Sequence, residues 1–225
     1  MTIALGVLLS GSGSNFQAIA DRVMAGDVDA EICLVVSNKP DAYGLERAKR
    51  MGIPTACISH RDFPEREAFD LELVRALREA GVEWVALAGF MRILTPAFLT
   101  PFAERVINIH PALLPACPGI HAQAQQAEYG VRLAGCTVHF VDEKMDHGPI
   151  IIQAAVPAFA TDDADSLGAR ILELEHRIYP QALQWIASNR VQAQGRQVVI
   201  DGAVQTAASV SAWWTNPPLE PPFDR

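Results

Sequence analysis

The sequence predicts an α/β fold, built on a doubly wound, mostly parallel sheet with helices on both faces. Short and nearly continuous apolar runs alternate with amphipathic stretches along most of the 225 residues. Strands that are buried on both faces have this composition, and the alternation is typical of strand–helix repeats. Glycine or proline marks many of the boundaries between the runs.

The first half of the chain is predicted to contain four strands and three helices. Gly26 follows the first predicted helix, Gly52 follows the second, and Pro64 and Gly81 bound the third, as expected for helix ends. The predicted strands are 2–9, 31–37, 55–59 and 83–89, and the predicted helices are 15–25, 44–51 and 64–80.

The second half is predicted to begin with a short helix and a fifth strand, which stops before Pro111 because proline cannot continue a strand ladder. A helix, two strands, a long helix and a closing hairpin follow. These elements are predicted at 96–103, 105–109, 121–129, 135–141, 149–157, 164–188 and 191–200.

We expect a single domain at 1–202 and a distinct C-terminal tail at 203–225. The last nine residues include four prolines, which oppose regular structure. Trp213 and Trp214 could dock on the domain, and a loose tail is an equal alternative.

Composition excludes several classes of protein. The chain is 50% hydrophobic and 20% charged, which is typical of a soluble globular protein. A net charge of −8 argues against non-specific binding of nucleic acid. No apolar run approaches the roughly 20 residues that span a bilayer, and the N-terminus lacks the basic region of a signal peptide.

The cysteines indicate a cytoplasmic protein. Cys33, Cys57, Cys117 and Cys136 show no CxxC spacing. Three of them lie in apolar runs that resemble core strands, which predicts buried, reduced thiols.

GSGSN at 11–15 lies between a predicted strand and a predicted helix. Backbone N–H groups and the helix dipole favour an anion at such a turn, here a phosphate monoester. Phe16 replaces the third glycine of a dinucleotide motif, and no Walker lysine follows. A tight turn that binds nothing is the alternative.

AGFMRIL at 88–94 presents apolar residues and one cation, Arg92, after a predicted strand. This combination suits a flat heterocycle that carries a carboxylate. A loop that only packs over the sheet is the alternative.

Asn108 and His110 occupy alternate positions at the end of the fifth predicted strand, so they share one face. Parallel sheets bind ligands beyond the carboxyl ends of their strands. Asp146 lies in a charged loop after a strand that carries His139, and a nearby aspartate favours a protonated imidazole. A zinc site formed by His110, His121, His139 and Asp146 fits no common metal spacing.

In this order, the motifs resemble the phosphoribosylglycinamide formyltransferase family, which uses 10-formyltetrahydrofolate in purine synthesis. The resemblance covers about residues 3 to 200. The matching stretches are LLSGSGSNFQAI, SNKPDAYGLERA, LAGFMRIL, NIHPALLP, GCTVHFVDEKMDHGPIIIQ and EHRIYP.

The resemblance implies a role for each group of residues. The catalytic set would be Asn108, His110 and Asp146, with His139 supporting it from behind. The ribotide phosphate and ribose would bind Gly13, Ser14, Asn15 and Glu175. Formyl folate would bind Arg66, Met91, Arg92, Ile93, Leu94, Asn108, Val141, Asp142, Glu143, Lys144, Met145 and Asp146.

The implied reaction is a direct attack of the ribotide amine on the formyl carbon. Asn108 and His110 would stabilise the oxyanion, and Asp146 would keep His110 protonated. The implied partners are glycinamide ribotide and formyl folate, with no metal, nucleic acid or membrane, and the protein would be a monomer or homodimer.

The chain departs from the family pattern at Ala116, Cys117 and Leu172, where relatives often carry basic, aromatic and polar residues respectively. The alternatives are a 10-formyltetrahydrofolate hydrolase and an inert folate- or nucleotide-binding module. An acidic chain without a further RNA-binding domain argues against a formyltransferase that acts on tRNA.

Overall fold

The computed structural model describes residues 2–203, 215–216, 220–221 and 223. These residues form two compact units. The first unit comprises Met1–Asn108 and Val141–Glu143, and the second comprises Ile109–Phe140 and Lys144–Arg225.

The first unit is built on parallel strands joined by helices. Strand β1 pairs with β2 and β4, β2 pairs with β3, and β4 pairs with β5, and all four pairings are parallel. The elements are β1 (Ile3–Leu9), α1 (Ser14–Met24), β2 (Ala30–Ser37), α2 (Tyr43–Arg50), β3 (Thr55–Cys57), a 3-10 helix (His60–Asp62), α3 (Arg66–Glu79), β4 (Trp84–Leu87), α4 (Pro96–Leu99) and β5 (Val106–His110).

The strand order β5-β4-β1-β2-β3 reverses direction at β1. The chain moves outward from β1 to β3 and then returns to β4 on the other side of β1. Right-handed crossovers place the helices before and after such a reversal on opposite faces. The predicted doubly wound, mostly parallel α/β class is therefore confirmed, and the ends of β1 and β4 lie at the switch point.

The helix α3 packs closely on the sheet of the first unit. Phe69, Leu73 and Leu77 of α3 belong to one buried cluster with Leu8 and Leu87 of the strands. A Cβ atom on Gly6 would lie 2.7 Å from Cδ2 of Leu77, so a larger residue there would displace the Leu77 side chain.

The second unit contains antiparallel strands and the longest helix. Strand β7 pairs antiparallel with β6 and with the short β10, and β8 and β9 form the predicted hairpin. An Asp163–Ser166 capping box starts α6. The elements are α5 (Ala122–Tyr129), β6 (Leu133–Phe140), β7 (Ile150–Pro157), α6 (Ala164–Ala187), β8 (Val191–Gln194), β9 (Gln197–Ile200) and β10 (Thr215–Asn216).

Three predictions of local structure were wrong. Helix α3 begins at Arg66 after an extended Glu65, so Pro64 precedes the helix. The helix predicted at 96–103 ends at Leu99. Cys136 is buried as predicted, whereas Cys33 is half-buried and Cys57, at the end of β3, is exposed.

The described part of the C-terminal segment contacts the second unit. Thr215 and Asn216 pair with Ala154 and Gln153 of β7, and the side chain of Phe223 is buried. Trp213 and Trp214 lie outside the described residues. The predicted division at residue 202 stays a prediction.

None of the helices in the described ranges is both long and apolar enough to cross a bilayer.

Candidate active site

His110 ends β5 in a buried position, with 4% of its surface exposed. Its Nε2 lies 2.8 Å from the carbonyl oxygen of Cys117. A carbonyl oxygen only accepts hydrogen bonds, so Nε2 carries the hydrogen. Asn108 lies two residues earlier on the same strand and therefore on the same face.

Asp146 accepts hydrogen bonds beside His110. Its Oδ2 lies 3.4 Å from Nδ1 of His110 and accepts a 2.7 Å hydrogen bond from the backbone N–H of Gly119. Asp146 itself has a φ of 50°, a left-handed conformation that aspartate tolerates better than most residues. The backbone therefore turns at this residue and aims the carboxylate at the histidine.

His139 lies on the other side of the same carboxylate. Its Nε2 is 3.8 Å from Oδ1 of Asp146, and its Nδ1 donates a 2.7 Å hydrogen bond to the carbonyl of Phe140. The carboxylate thus stands between two buried imidazoles. The expected proximity of His110, His139 and Asp146 is observed within the second unit.

Polar side chains, two buried and one half-buried, hold the backbone that follows His110. Gln126 donates to the carbonyl of Pro111 at 2.8 Å, and Thr137 donates to the carbonyl of Ala112 at 2.6 Å. Gln153 donates to the carbonyl of Leu114 at 2.9 Å. The segment places the carbonyl of Cys117 beside His110 and the N–H of Gly119 beside Asp146. No motif in the sequence indicated these two contacts.

The GSGSN turn opens α1 in the first unit. Gly13 precedes the helix with a φ of 70°, and a Cβ atom there would lie 2.5 Å from Cα of Gly44. Gly44 also donates its N–H to the carbonyl of Gly11 at 3.0 Å, and Arg47 donates to the carbonyl of Ser12 at 2.9 Å. Helix α2 therefore supports the turn.

The N-cap residue of α1 is Gly13, which has no side chain to cap the helix, and Ser14 and Asn15 begin the helix. Such an end attracts an anion through its N–H groups and dipole. Phe16 is fully buried, which explains why the position of a third glycine is filled by a core residue.

The segment 91–94 alternates between exposed and enclosed side chains. Met91 is 61% exposed and Ile93 52% exposed, whereas Leu94 is buried and Arg92 is half-buried. Val141 packs against the buried cluster that includes Leu94. Two of the stretches assigned to folate by resemblance therefore share the core of the first unit.

Buried polar side chains hold both ends of this segment. The N–H of Met91 donates to Oγ of Ser10 at 2.9 Å, and the N–H of Thr95 donates to Oδ2 of Asp70 at 2.6 Å. Burial raises the pKa of the Asp70 carboxyl above its ordinary value. Sequence reasoning missed these residues, although Ser10 directly follows β1, where a polar residue is informative.

The remaining predicted site residues differ in their exposure. Arg66 is exposed at the first position of α3, and Glu175 is buried in α6. Asp142 is half-buried, whereas Glu143, Lys144 and Met145 are exposed. Within the described ranges, no group of three or more histidine, cysteine or acidic side chains is arranged to hold a metal ion.

Comparison with known proteins identifies relatives along most of the chain. Residues 3–183 match the family model described as "Formyl transferase". The phosphoribosylglycinamide formyltransferase of Escherichia coli is 45% identical over 196 residues, covering 87% of this chain and 92% of that protein.

A second relative is much longer. The trifunctional purine biosynthetic protein adenosine-3 of Drosophila pseudoobscura pseudoobscura is 53% identical over 184 residues, covering 81% of this chain. The match spans only 14% of the length of that protein.

Solved structures agree with these relationships. The glycinamide ribonucleotide transformylase 1 of Symbiobacterium toebii has a TM-score of 0.87 at 49% identity, covering 88% of this chain and 94% of that one. The phosphoribosylglycinamide formyltransferase of Coxiella burnetii has a TM-score of 0.85 at 39% identity, covering 90% and 95%.

Proposed function

This chain belongs to the formyl transferase family, and on that premise we propose that it is a phosphoribosylglycinamide formyltransferase. It transfers the formyl group of 10-formyltetrahydrofolate to the amine of 5′-phosphoribosylglycinamide. The products are formylglycinamide ribotide and tetrahydrofolate, and the reaction is a step of de novo purine biosynthesis.

One observation carries the proposal beyond resemblance: the buried His110 lies 3.4 Å from the carboxylate of Asp146. A carboxylate beside an imidazole favours its protonated form. An imidazolium is a strong hydrogen-bond donor for an oxygen that gains negative charge. Formyl transfer to an amine passes through such an oxyanion.

The proposed reaction needs no covalent intermediate with the enzyme. The amine nitrogen attacks the formyl carbon, the carbonyl oxygen becomes negative, and the bond from that carbon to N10 of the folate then breaks. One proton leaves the attacking nitrogen and one reaches N10. His110 and the amide of Asn108 stabilise the oxyanion, and His110 and an ordered water near Asp146 carry the proton.

The contact between His110 and Cys117 adds a requirement to this mechanism. The N–H of Nε2 already donates to the Cys117 carbonyl at 2.8 Å. In the proposed cycle the formyl oxygen replaces this carbonyl as the acceptor. The exchange of one acceptor for another avoids leaving a buried donor unpaired, which would cost roughly 1–3 kcal/mol.

The substrates are assigned to the residues that match the family motifs. The ribotide phosphate binds at Gly13, Ser14 and Asn15, which is supported by the glycine N-cap at the start of α1, and Glu175 binds the ribose hydroxyls. Formyl folate binds segment 91–94 and residues 141–146, and Arg66 and Arg92 receive its carboxylates.

The proposal extends to setting and assembly. The protein acts on small molecules in the cytoplasm, as a monomer or homodimer, with the formyl-transfer domain at 1–202 and the tail at 203–225. Formyl folate is consumed as a co-substrate, and no metal takes part.

The test is to mix the protein with 10-formyltetrahydrofolate and the ribotide and to follow deformylated folate. We expect product that depends on the ribotide and appears together with formylated ribotide. Equal rates with and without ribotide would indicate a hydrolase, and no reaction with either mixture would indicate an inert binding module. Both outcomes contradict the proposal.

A further inference from the structure

A buried polar side chain accepts a backbone N–H at each end of segment 91–94. Between its ends the segment has neither helical nor strand hydrogen bonding. Its conformation therefore depends on contacts made by its terminal N–H groups. Those contacts come from different elements of the first unit.

Ser10 holds the beginning of the segment. It is 5% exposed, its N–H donates to the carbonyl of Gly89 at 3.0 Å, and its Oγ accepts the N–H of Met91 at 2.9 Å. The backbone and side chain of a single residue thus grip both sides of the turn at Gly89.

Asn38 orients the hydroxyl of Ser10. The Ser10 hydroxyl donates to Oδ1 of Asn38 at 2.6 Å, which leaves the Ser10 oxygen free to accept from Met91. Asn38 is 3% exposed, and its amide group lies 3.2 Å from Nδ1 of His60. Because the amide nitrogen donates, Nδ1 of His60 accepts.

Asp70 holds the other end of the segment. It projects from α3, is 1% exposed and accepts the N–H of Thr95 at 2.6 Å. Buried carboxylates are rare because removing one from water is costly. The hydrogen bond from the Thr95 N–H offsets part of the cost of burying Asp70. This bond forms only while the loop keeps its present conformation.

These contacts have a common effect. They fix the backbone around Met91 and Ile93, whose side chains remain exposed. Exposed apolar side chains on a fixed backbone can receive a flat apolar ring without further ordering of the loop. The entropy cost of ordering the loop is then not part of the binding free energy.

We propose that Ser10, Asn38 and Asp70 are positioning residues that shape segment 91–94 to receive the heterocycle of a reduced folate. The inference rests on the proposed function, which assigns folate to this segment. Ser10 and Asp70 accept backbone N–H groups at the ends of the segment, and Asn38 contacts Ser10 and His60, so none of the three is assigned a contact with the ligand. They act on folate affinity and leave the chemical step and the ribotide site unchanged.

The first experiment measures steady-state kinetics of Ser10→Ala against Ser37→Ala. Ser37 is the matched control, because it is fully buried at the end of β2 and its hydroxyl bonds to the backbone of Lys39. We expect Ser10→Ala to raise KM for formyl folate about fivefold, the loss of one typical hydrogen bond. Turnover, KM for the ribotide and all values for Ser37→Ala should stay within about twofold.

The second experiment uses the other end of the segment. Asp70→Asn retains an oxygen that accepts the Thr95 N–H, whereas Asp70→Ala does not. We expect Asp70→Ala to raise KM for formyl folate as Ser10→Ala does, and Asp70→Asn to restore most of the affinity. Equal KM values in the two variants and the unchanged protein overturn the role of Asp70.

A double-mutant cycle tests whether Asn38 acts through Ser10. Asn38→Ala alone should raise KM for formyl folate, but adding it to Ser10→Ala should raise it no further. Fully additive effects contradict the proposed chain. If Ser10→Ala does not fold, Ser10→Cys keeps the size with a weaker acceptor, and an unchanged KM for formyl folate in that variant overturns the proposal.

These outcomes separate two failures. If the unchanged protein shows no ribotide-dependent formyl transfer, the proposed function is wrong. If it is active and the variants bind formyl folate normally, only the positioning role is wrong.

Discussion

His110 donates from Nε2 to the backbone carbonyl of Cys117, and its Nδ1 faces the carboxylate of Asp146. At the scale of single residues, the site is therefore defined by which atoms these two side chains meet. Gly119 and Cys117 contribute only backbone atoms, yet one contacts the carboxylate and the other the imidazole. Peptide groups are invisible in a search for chemically reactive side chains.

The first prediction concerns the histidine–aspartate pair. His110→Ala and Asp146→Asn should each lower turnover by at least about a hundredfold, because each removes or weakens a donor to the oxyanion. Binding of the ribotide, measured by calorimetry, should change far less. Near-normal turnover in either variant contradicts the assigned roles.

The second prediction concerns Gly119. It has a φ of 87°, and a Cβ atom there would lie 3.2 Å from Cε of Met145. Gly119→Ala should shift the N–H that orients Asp146 and lower turnover about tenfold or more. The measurement is kcat for formyl transfer.

Gly130→Ala is the control for that variant. Gly130 ends α5 with a φ of 75° and has open space around its Cβ position. Gly130→Ala should cost about 1 kcal/mol of stability from backbone strain. Its turnover should stay normal. A similar loss of turnover in both variants would show that strain alone, and not the contact with Asp146, is responsible.

At the scale of elements, the turn between β1 and α1 depends on a neighbouring helix. A Cβ atom on Gly13 would lie 2.5 Å from Cα of Gly44, and one on Gly44 would lie 2.5 Å from Cδ2 of Leu9. The sequence showed the first glycine as part of a phosphate-type turn. The second was hidden in α2, because a glycine inside a helical pattern carries no signal of what packs against it.

The third prediction concerns this approach. Gly13→Ala would place a Cβ atom 2.5 Å from Cα of Gly44, so the turn and the start of α1 must move. We expect KM for the ribotide to rise at least about tenfold, because phosphate binding depends on the position of the helix N-terminus.

Gly26→Ala serves as its control at the other end of α1. Gly26 has a φ of 79° with no atom near its Cβ position. Gly26→Ala should lower the melting temperature through a similar backbone strain. It should leave KM for the ribotide unchanged. A normal KM for the ribotide in Gly13→Ala would contradict the assignment of the phosphate site to this turn.

At the scale of the whole molecule, the described residues near the C-terminus are tied to the second unit by charge and by burial. Arg190 donates from both Nη atoms to Glu220, at 2.7 and 2.8 Å. The N–H of Glu220 donates to the buried Gln181 at 2.9 Å. Arg190 lowers the pKa of the Glu220 carboxyl below its ordinary value.

The fourth prediction follows from that lowered pKa. A carboxyl whose pKa is lower in the folded state stabilises the protein above its unfolded pKa, and the contribution is lost as pH falls through the folded pKa. Glu220→Gln should therefore cost about 0.5–1 kcal/mol in urea unfolding at pH 7. The difference from the unchanged protein should shrink below the ordinary glutamate range.

Glu79→Gln is the control for charge removal. Its partner Arg75 and Glu79 itself have side chains 57% and 64% exposed, so solvent screens the pair. The substitution should leave the unfolding free energy nearly unchanged at every pH. A pH-independent loss in Glu220→Gln would show that the pair with Arg190 is not the cause.

The sequence by itself determined the class of the fold, because strands buried on both faces must be apolar throughout and helices between them must be amphipathic. It also singled out Asn108, His110 and Asp146 as candidates, since a polar side chain at the end of an apolar strand or beside a sharp turn is conspicuous, and their catalytic role stays a prediction. The ends of α3 and α4 were misjudged because local signals do not report the tertiary contacts that end a helix.

Tertiary structure alone decided what these residues meet. Ser10 and Met91 are 81 positions apart, and Gly119 and Asp146 are 27 apart, so neither bond leaves a local pattern. The same holds for Gly13 against Gly44, and for Glu220 against Arg190. Such contacts arise only when the chain folds back on itself, because hydrogen bonding and close packing depend on distance in space and the sequence records only order along the chain.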